Sequence, residues 1–154
     1  MANTEKCITC SLMNPSSKSK ASLIVDLMYN NDPFSQLLGM ERVEDGPGVS
    51  VLRMVVTKNM LNGFSIAHGG ITYSLADSAL AFASNGHGIQ SVSIETSISH
   101  VKKVVEGDVL TTEVIEKNLT SKTGLYEVVV RNQNNEPVAY FKGTVFRTGK
   151  PWEV

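Results

Sequence analysis

Cysteine is scarce in this chain, with only Cys7 and Cys10, in a lone Cys-Ile-Thr-Cys. A structural zinc site takes four ligands and no second pair exists; no βαβ pattern follows that would make it a thioredoxin-like motif. The pair is read as reduced thiols on a flexible arm. His87 and His100 are too scattered to hold a metal. No apolar run approaches the roughly 20 residues that cross a bilayer. The N-terminal stretch, with Glu5 and Lys6, lacks the apolar core of a secretion signal. A cytoplasmic protein without a membrane partner is expected. An excess of one charge is also missing: 14 Lys and Arg stand against 15 Asp and Glu. Without a basic run there is no footprint for nucleic acid. The chain shows no internal repeat and no linker, so one domain with a real core is expected.

What is present is a stretch from His68 to Gly86 that opens on Gly69-Gly70 and closes on Asn85-Gly86. Between these marks lie about four helical turns rich in Ala and free of Pro. Gly86 reads as the helix stop, because glycine takes the left-handed conformation cheaply. Ile71, Tyr73, Leu75, Ala79, Leu80 and Phe82 point in nearly every direction, which places the helix inside the domain. Its one side chain charged at neutral pH is Asp77. Ser74, Asp77, Ser78, Ala81 and Asn85 share a stripe at helical spacing, which fits either a solvated face or a buried acid with a task.

Around this helix the pattern is coarse but consistent. Residues 1–20 read as a flexible arm. Leu23, Ile24, Leu27 and Met28 give a short amphipathic helix over 21–31, ended by Asn30-Asn31-Asp32-Pro33, and one more turn runs to Gly39. Asp45-Gly46-Pro47-Gly48 is a turn, and 48–57 has strand composition. Lys58 to Ser65 is a loop. After Gly88 the period changes to two. Strands are expected around Val92–Ile98, over 109–117, 125–131 and 137–147, with 150–154 as a tail. Strands joined by tight turns exclude a parallel sheet, so the expected architecture is α+β, an antiparallel sheet wrapped round one long central helix. Residues 21–149 form the single domain.

The run Leu61-Asn62-Gly63, His68-Gly69-Gly70 and Ser74-Leu75-Ala76-Asp77-Ser78-Ala79, followed by Gly107-Asp108 and Lys122-Thr123-Gly124-Leu125-Tyr126, resembles the hotdog-fold acyl-CoA thioesterases, in particular the phenylacetate-degradation (PaaI) type. The resemblance covers roughly residues 22 to 149. It implies a hotdog fold and a dimer with active sites at its interface, often doubled to a tetramer. It places Asp77 as the catalytic carboxylate, Gly69 as the amide that polarises the thioester carbonyl, and Asn62 as a second polar group. His68, Gly70 and Ser93 fall at substrate-binding positions. No cofactor is implied beyond coenzyme A, which is part of the substrate. One departure is Lys102-Lys103, where many relatives carry Arg-Pro.

The chemistry agrees with the residues. A helix N-terminus offers unsatisfied N–H groups and partial positive charge, and Gly69-Gly70 let a substrate approach that backbone. Such a step can serve as an oxyanion site. A carboxylate can act as base toward water or as nucleophile. Gly69 and Asp77 lie eight residues apart on one helix, about 12 Å along its axis. One carbonyl cannot touch both, so the two groups must come from different chains related by a two-fold axis. Alternatives are a hotdog enoyl-CoA hydratase or dehydratase and a non-catalytic acyl-CoA binder. Phe64, Met60, Tyr73 and Phe82 could line an apolar acyl pocket, though such residues more often form core.

Overall fold

The computed structural model describes residues 18–154. Cys7, Cys10 and most of the expected arm lie outside the described residues. The elements run α1 (Lys20–Asn30), α2 (Pro33–Leu37), β1 (Glu41–Gly46), β2 (Val49–Val55), a 3-10 turn (Lys58–Met60), α3 (Gly69–Asn85), β3 (Ile89–His100), β4 (Val109–Leu119), β5 (Thr123–Arg131) and β6 (Pro137–Pro151). All six strands form one sheet in the order β1-β2-β4-β5-β6-β3. Every neighbouring pair is antiparallel. Among the described residues no helix is long and apolar enough to cross a membrane.

α3 lies across one face of the sheet and touches all six strands. Leu75, Ala76, Ala79 and Leu80 are fully buried beneath it, with Leu52, Met54, Leu110, Val128 and Val130 from the strands. Each fully buried Leu of this kind contributes about 1.5–3 kcal/mol. Close approach is made possible by Gly143 on β6, where an added Cβ would lie 2.4 Å from Leu80 Cδ2. α1 packs on α3, with Val25 in the shared core and the Tyr29 ring edge-on to Phe82 at 6.4 Å between centroids. Asp32 caps α2, accepting from the N–H groups of Phe34 and Ser35.

Three details depart from the sequence expectation. The segment Glu41–Gly46 is a strand, not merely the approach to a turn. It is charged, its one apolar side chain, Val43, is exposed, and it sits at the sheet edge, so no alternation marks it. Arg42 ties it down, with Nη1 2.7 Å from Asp26 Oδ1 and Nη2 2.5 Å from Asp45 Oδ2. Second, Gly86 is not left-handed: it has φ −55° and ψ −20°. The residue must be small, because a Cβ there would stand 2.4 Å from the Gly46 carbonyl oxygen. Third, the chain does not leave the sheet at residue 149. β6 continues to Pro151, the Trp152 N–H donates to Gly88 O at 3.0 Å, and Trp152 Nε1 donates to Asn85 Oδ1 at 2.8 Å.

Candidate active site

The N-terminal end of α3 is held by its own approach. The Ala67 N–H donates to Val104 O and the His68 N–H to Met60 O, both at 2.8 Å. His68 is the N-cap, and its Nδ1 accepts from the Gly70 N–H at 3.0 Å. The Ile71 N–H is taken by the His68 carbonyl at 2.9 Å. The Gly69 N–H has no acceptor among the described residues. It is therefore the free donor of the first turn.

Asn62 sits beside it, in a loop that folds through its own side chain. Asn62 Oδ1 accepts from the Phe64 N–H at 2.8 Å, an Asx turn, while the Asn62 N–H donates to Ile66 O at 2.8 Å. With the oxygen fixed in the turn, the Asn62 amide nitrogen remains the free donor. Asn62 and Gly69 line the same hollow, of about 410 Å³, together with Thr72, His100 and the backbone run Val101–Val104. Lys102 pairs with Glu136 across 2.6 Å, both half exposed. Ionic contacts at that exposure contribute little to stability.

Asp77 lies elsewhere. It lines a separate hollow of about 260 Å³ with Met28, Leu80, Ala81 and Ser93. The carboxyl makes no ion pair or hydrogen bond among the described residues, and burial alone pushes it above the ordinary aspartate value. The Asp77 stripe is thus half-buried, not solvated; its Asn85 is fully buried, clasping Ser91 by donating to its carbonyl at 3.0 Å and accepting from its N–H at 2.9 Å. Ser93 is exposed on β3, next to a bulge between Ser93 and Glu95. Bulges of this kind re-aim side chains near sites.

The sequence-derived residues therefore divide. Asn62 and Gly69 come together in one hollow, Asp77 and Ser93 in the other. His68 and Gly70 line neither, and are joined by the one bond from the Gly70 N–H to His68 Nδ1. Two further residues meet at the helix start that the sequence does not mark as site residues, Thr72 and His100. Thr72 looks like an ordinary helical position, and His100, at the end of a strand, gives no local signal of what it faces 31 residues upstream.

A six-stranded antiparallel sheet laid over one long helix defines a hotdog-fold domain. Residues 64–139 match the thioesterase superfamily. A protein of Archaeoglobus fulgidus, provisionally named an esterase, is 42% identical over 127 residues, 82% of each chain. The acyl-coenzyme A thioesterase PaaI of Escherichia coli is 36% identical over 122 residues, 79% of this chain and 87% of that protein. The solved structure of E. coli PaaI superposes with a TM-score of 0.83 at 35% identity, covering 86% of this chain and 96% of that one. A Streptococcus mutans protein bound to acetyl-CoA superposes with a TM-score of 0.71 at 28% identity, covering 73% of this chain and 91% of the other. The chain belongs to the hotdog-fold thioesterases, a PaaI-like thioester hydrolase.

Proposed function

We propose that the protein hydrolyses acyl-CoA thioesters, aryl or medium-chain, to the free acid and coenzyme A at two composite sites of a homodimer. Two relatives support the substrate class: one is named an acyl-coenzyme A thioesterase and the other was solved with acetyl-CoA bound. The observation that carries the composite site is the separation of Gly69 and Asp77. They occupy different hollows of one protomer, eight residues apart on one helix, about 12 Å by its rise. Two such helices running antiparallel across a two-fold axis bring the N-terminus of one to the acid of the other.

The sheet supports this pairing. β3 is an edge strand of 12 residues that presents Val92 and Ile94 to solvent. A long apolar edge invites another strand, and a second copy of β3 satisfies it by continuing the sheet. Ser93 on that strand and Asp77 beneath it then lie at the seam. Two such dimers joining as a tetramer extend the same reading.

In this arrangement the Gly69 N–H and the Asn62 amide donate to the thioester oxygen. A water beside the partner protomer's carboxylate attacks the carbonyl carbon. Asp77 takes the water proton, the new C–O bond forms, the C–S bond breaks, and the thiolate leaves. A carboxyl raised by burial is a better base than an ordinary aspartate, which supports the general-base role. The test is release of free thiol from a panel of aryl- and alkyl-CoA esters by wild type and Asp77→Asn. Wild type is expected to turn over. The variant is expected to fold and assemble alike and to lose about 10²–10⁴ in kcat. Full activity in Asp77→Asn overturns the mechanism.

A further inference from the structure

The first turn of α3 carries a contradiction. The donor that must be held still is the N–H of a glycine followed by a glycine, the most freely moving backbone available. Each glycine also weakens a helix by about 1 kcal/mol relative to Ala. Something other than propensity must fix this turn.

His100 is placed to do so. It comes from the end of β3, and its Nε2 lies 2.8 Å from Thr72 Oγ1 and 3.2 Å from the Gly69 carbonyl oxygen. The Thr72 hydroxyl in turn donates to the same Gly69 oxygen at 3.1 Å. These three distances select one proton arrangement. If Nε2 were bare, it could accept from Thr72 only by facing the Gly69 oxygen lone pair to lone pair. With the proton on Nε2, the imidazole donates to Thr72 and to Gly69 O, and the Thr72 proton is left for Gly69 O. Nothing in the triangle is then unmatched. The approach is close: an added Cβ at residue 69 would sit 3.1 Å from His100 Cε1, so the ring would have to shift by a few tenths of an ångström. Both His100 and Thr72 line the same hollow as Gly69.

We propose that His100 is a positioning residue of the reaction, clamping the Gly69 carbonyl directly and through Thr72, so that the Gly69 N–H keeps its aim. The inference rests on the reading of that N–H as the group that polarises the thioester. Its effect falls on kcat, because a loosened donor still admits substrate but meets the developing oxyanion poorly.

The test uses three variants of the full chain. His100→Phe keeps ring volume and removes the donor. His100→Gln keeps an N–H of similar reach. Thr72→Val keeps shape and removes the relay hydroxyl. His100→Phe is expected to lower kcat about tenfold with KM within about twofold, below the 10²–10³ lost when an oxyanion donor is removed outright. His100→Gln is expected to recover most of that loss, and Thr72→Val to fall between. Hydrogen exchange at Ile71, whose N–H is held by the His68 carbonyl in the same turn, should quicken in His100→Phe and not in His100→Gln. The exchange readout needs no turnover, so it decides the clamp even if the protein hydrolyses none of the esters tried. If His100→Phe does not fold, His100→Gln and Thr72→Val carry the same comparison against wild type. Wild-type kcat and exchange in His100→Phe, or in Thr72→Val when that variant stands in for it, would overturn the proposal. So would a loss confined to KM, which assigns His100 to the pocket wall alone.

Discussion

The composite site makes a prediction that no single-chain site can imitate. Gly69→Pro deletes one backbone N–H and leaves the helix able to start, while its Cβ, 3.1 Å from His100 Cε1, also presses on the ring, so the variant disables the helix-start half of the site as a whole. Gly69 is the first helical residue, where Pro is at home, and His68 already has the extended ψ of 136° that a residue before Pro adopts. Its loss of the oxyanion donor should cost about 10²–10³ in kcat. Asp77→Asn, on the same helix, should cost about 10²–10⁴. Now let the two variants, differently tagged, be coexpressed and the mixed dimer purified. If each site joins the Gly69 of one chain to the Asp77 of the other, one site of the mixed dimer carries both changes and the other carries neither. The mixed dimer should then show about half the wild-type kcat, and an unsorted equal mixture about a quarter. If both groups served one chain's own site, every site would be damaged and activity would stay at or below about 1%. Thiol release from a CoA ester distinguishes the two by about fiftyfold. A purified mixed dimer no more active than its parents refutes the shared site.

The remaining predictions concern the acid and the core. Burial raises the Asp77 carboxyl, so the acid limb of kcat/KM should have its midpoint above the ordinary 3.8 of an aspartate, measured with buffers of constant ionic strength. The same shift has a sign for stability: the folded state holds this proton more tightly than the unfolded chain, so stability is lost as pH rises from 3.8 through the folded value. Asp77→Asn should therefore unfold at higher denaturant than wild type near neutrality, and the gap should close in acid. Tyr126 is fully buried and donates to Glu116 Oε2 at 2.9 Å; Tyr126→Phe should cost about 0.5–1.5 kcal/mol in urea unfolding. Gly143→Ala forces a methyl against Leu80 and should cost about 1–3 kcal/mol. Adding Leu80→Ala should cost less than the sum of the two single changes, because the methyl then has room.

The parts of this molecule that the chain announces are those whose cause is local. The span of α3 is fixed by glycine and asparagine at its ends and apolar residues all round, and the observed Gly69–Asn85 keeps to it. The alternation of β4 to β6 shows a half-buried sheet in the same way. β1 stayed hidden because it is held by Arg42 to Asp26 and Asp45, contacts partly made across the fold, with no apolar face to betray it. The site obeys the same division. Asn62, Gly69 and Asp77 stand out in the sequence because a motif at fixed spacing brings them together, and the helix rise says that one carbonyl cannot reach both Gly69 and Asp77 of one chain. His100 is not legible, since its meaning arises only when the end of β3 is folded back over the helix start. Spacing along one helix reveals which groups are kept apart; only the fold reveals what steadies them. Here the group most exposed to backbone freedom, a glycine amide, is steadied from the element farthest from it in local sequence signal. That is why Thr72 and His100, rather than the capping pair His68 and Gly70, carry the next test of the site.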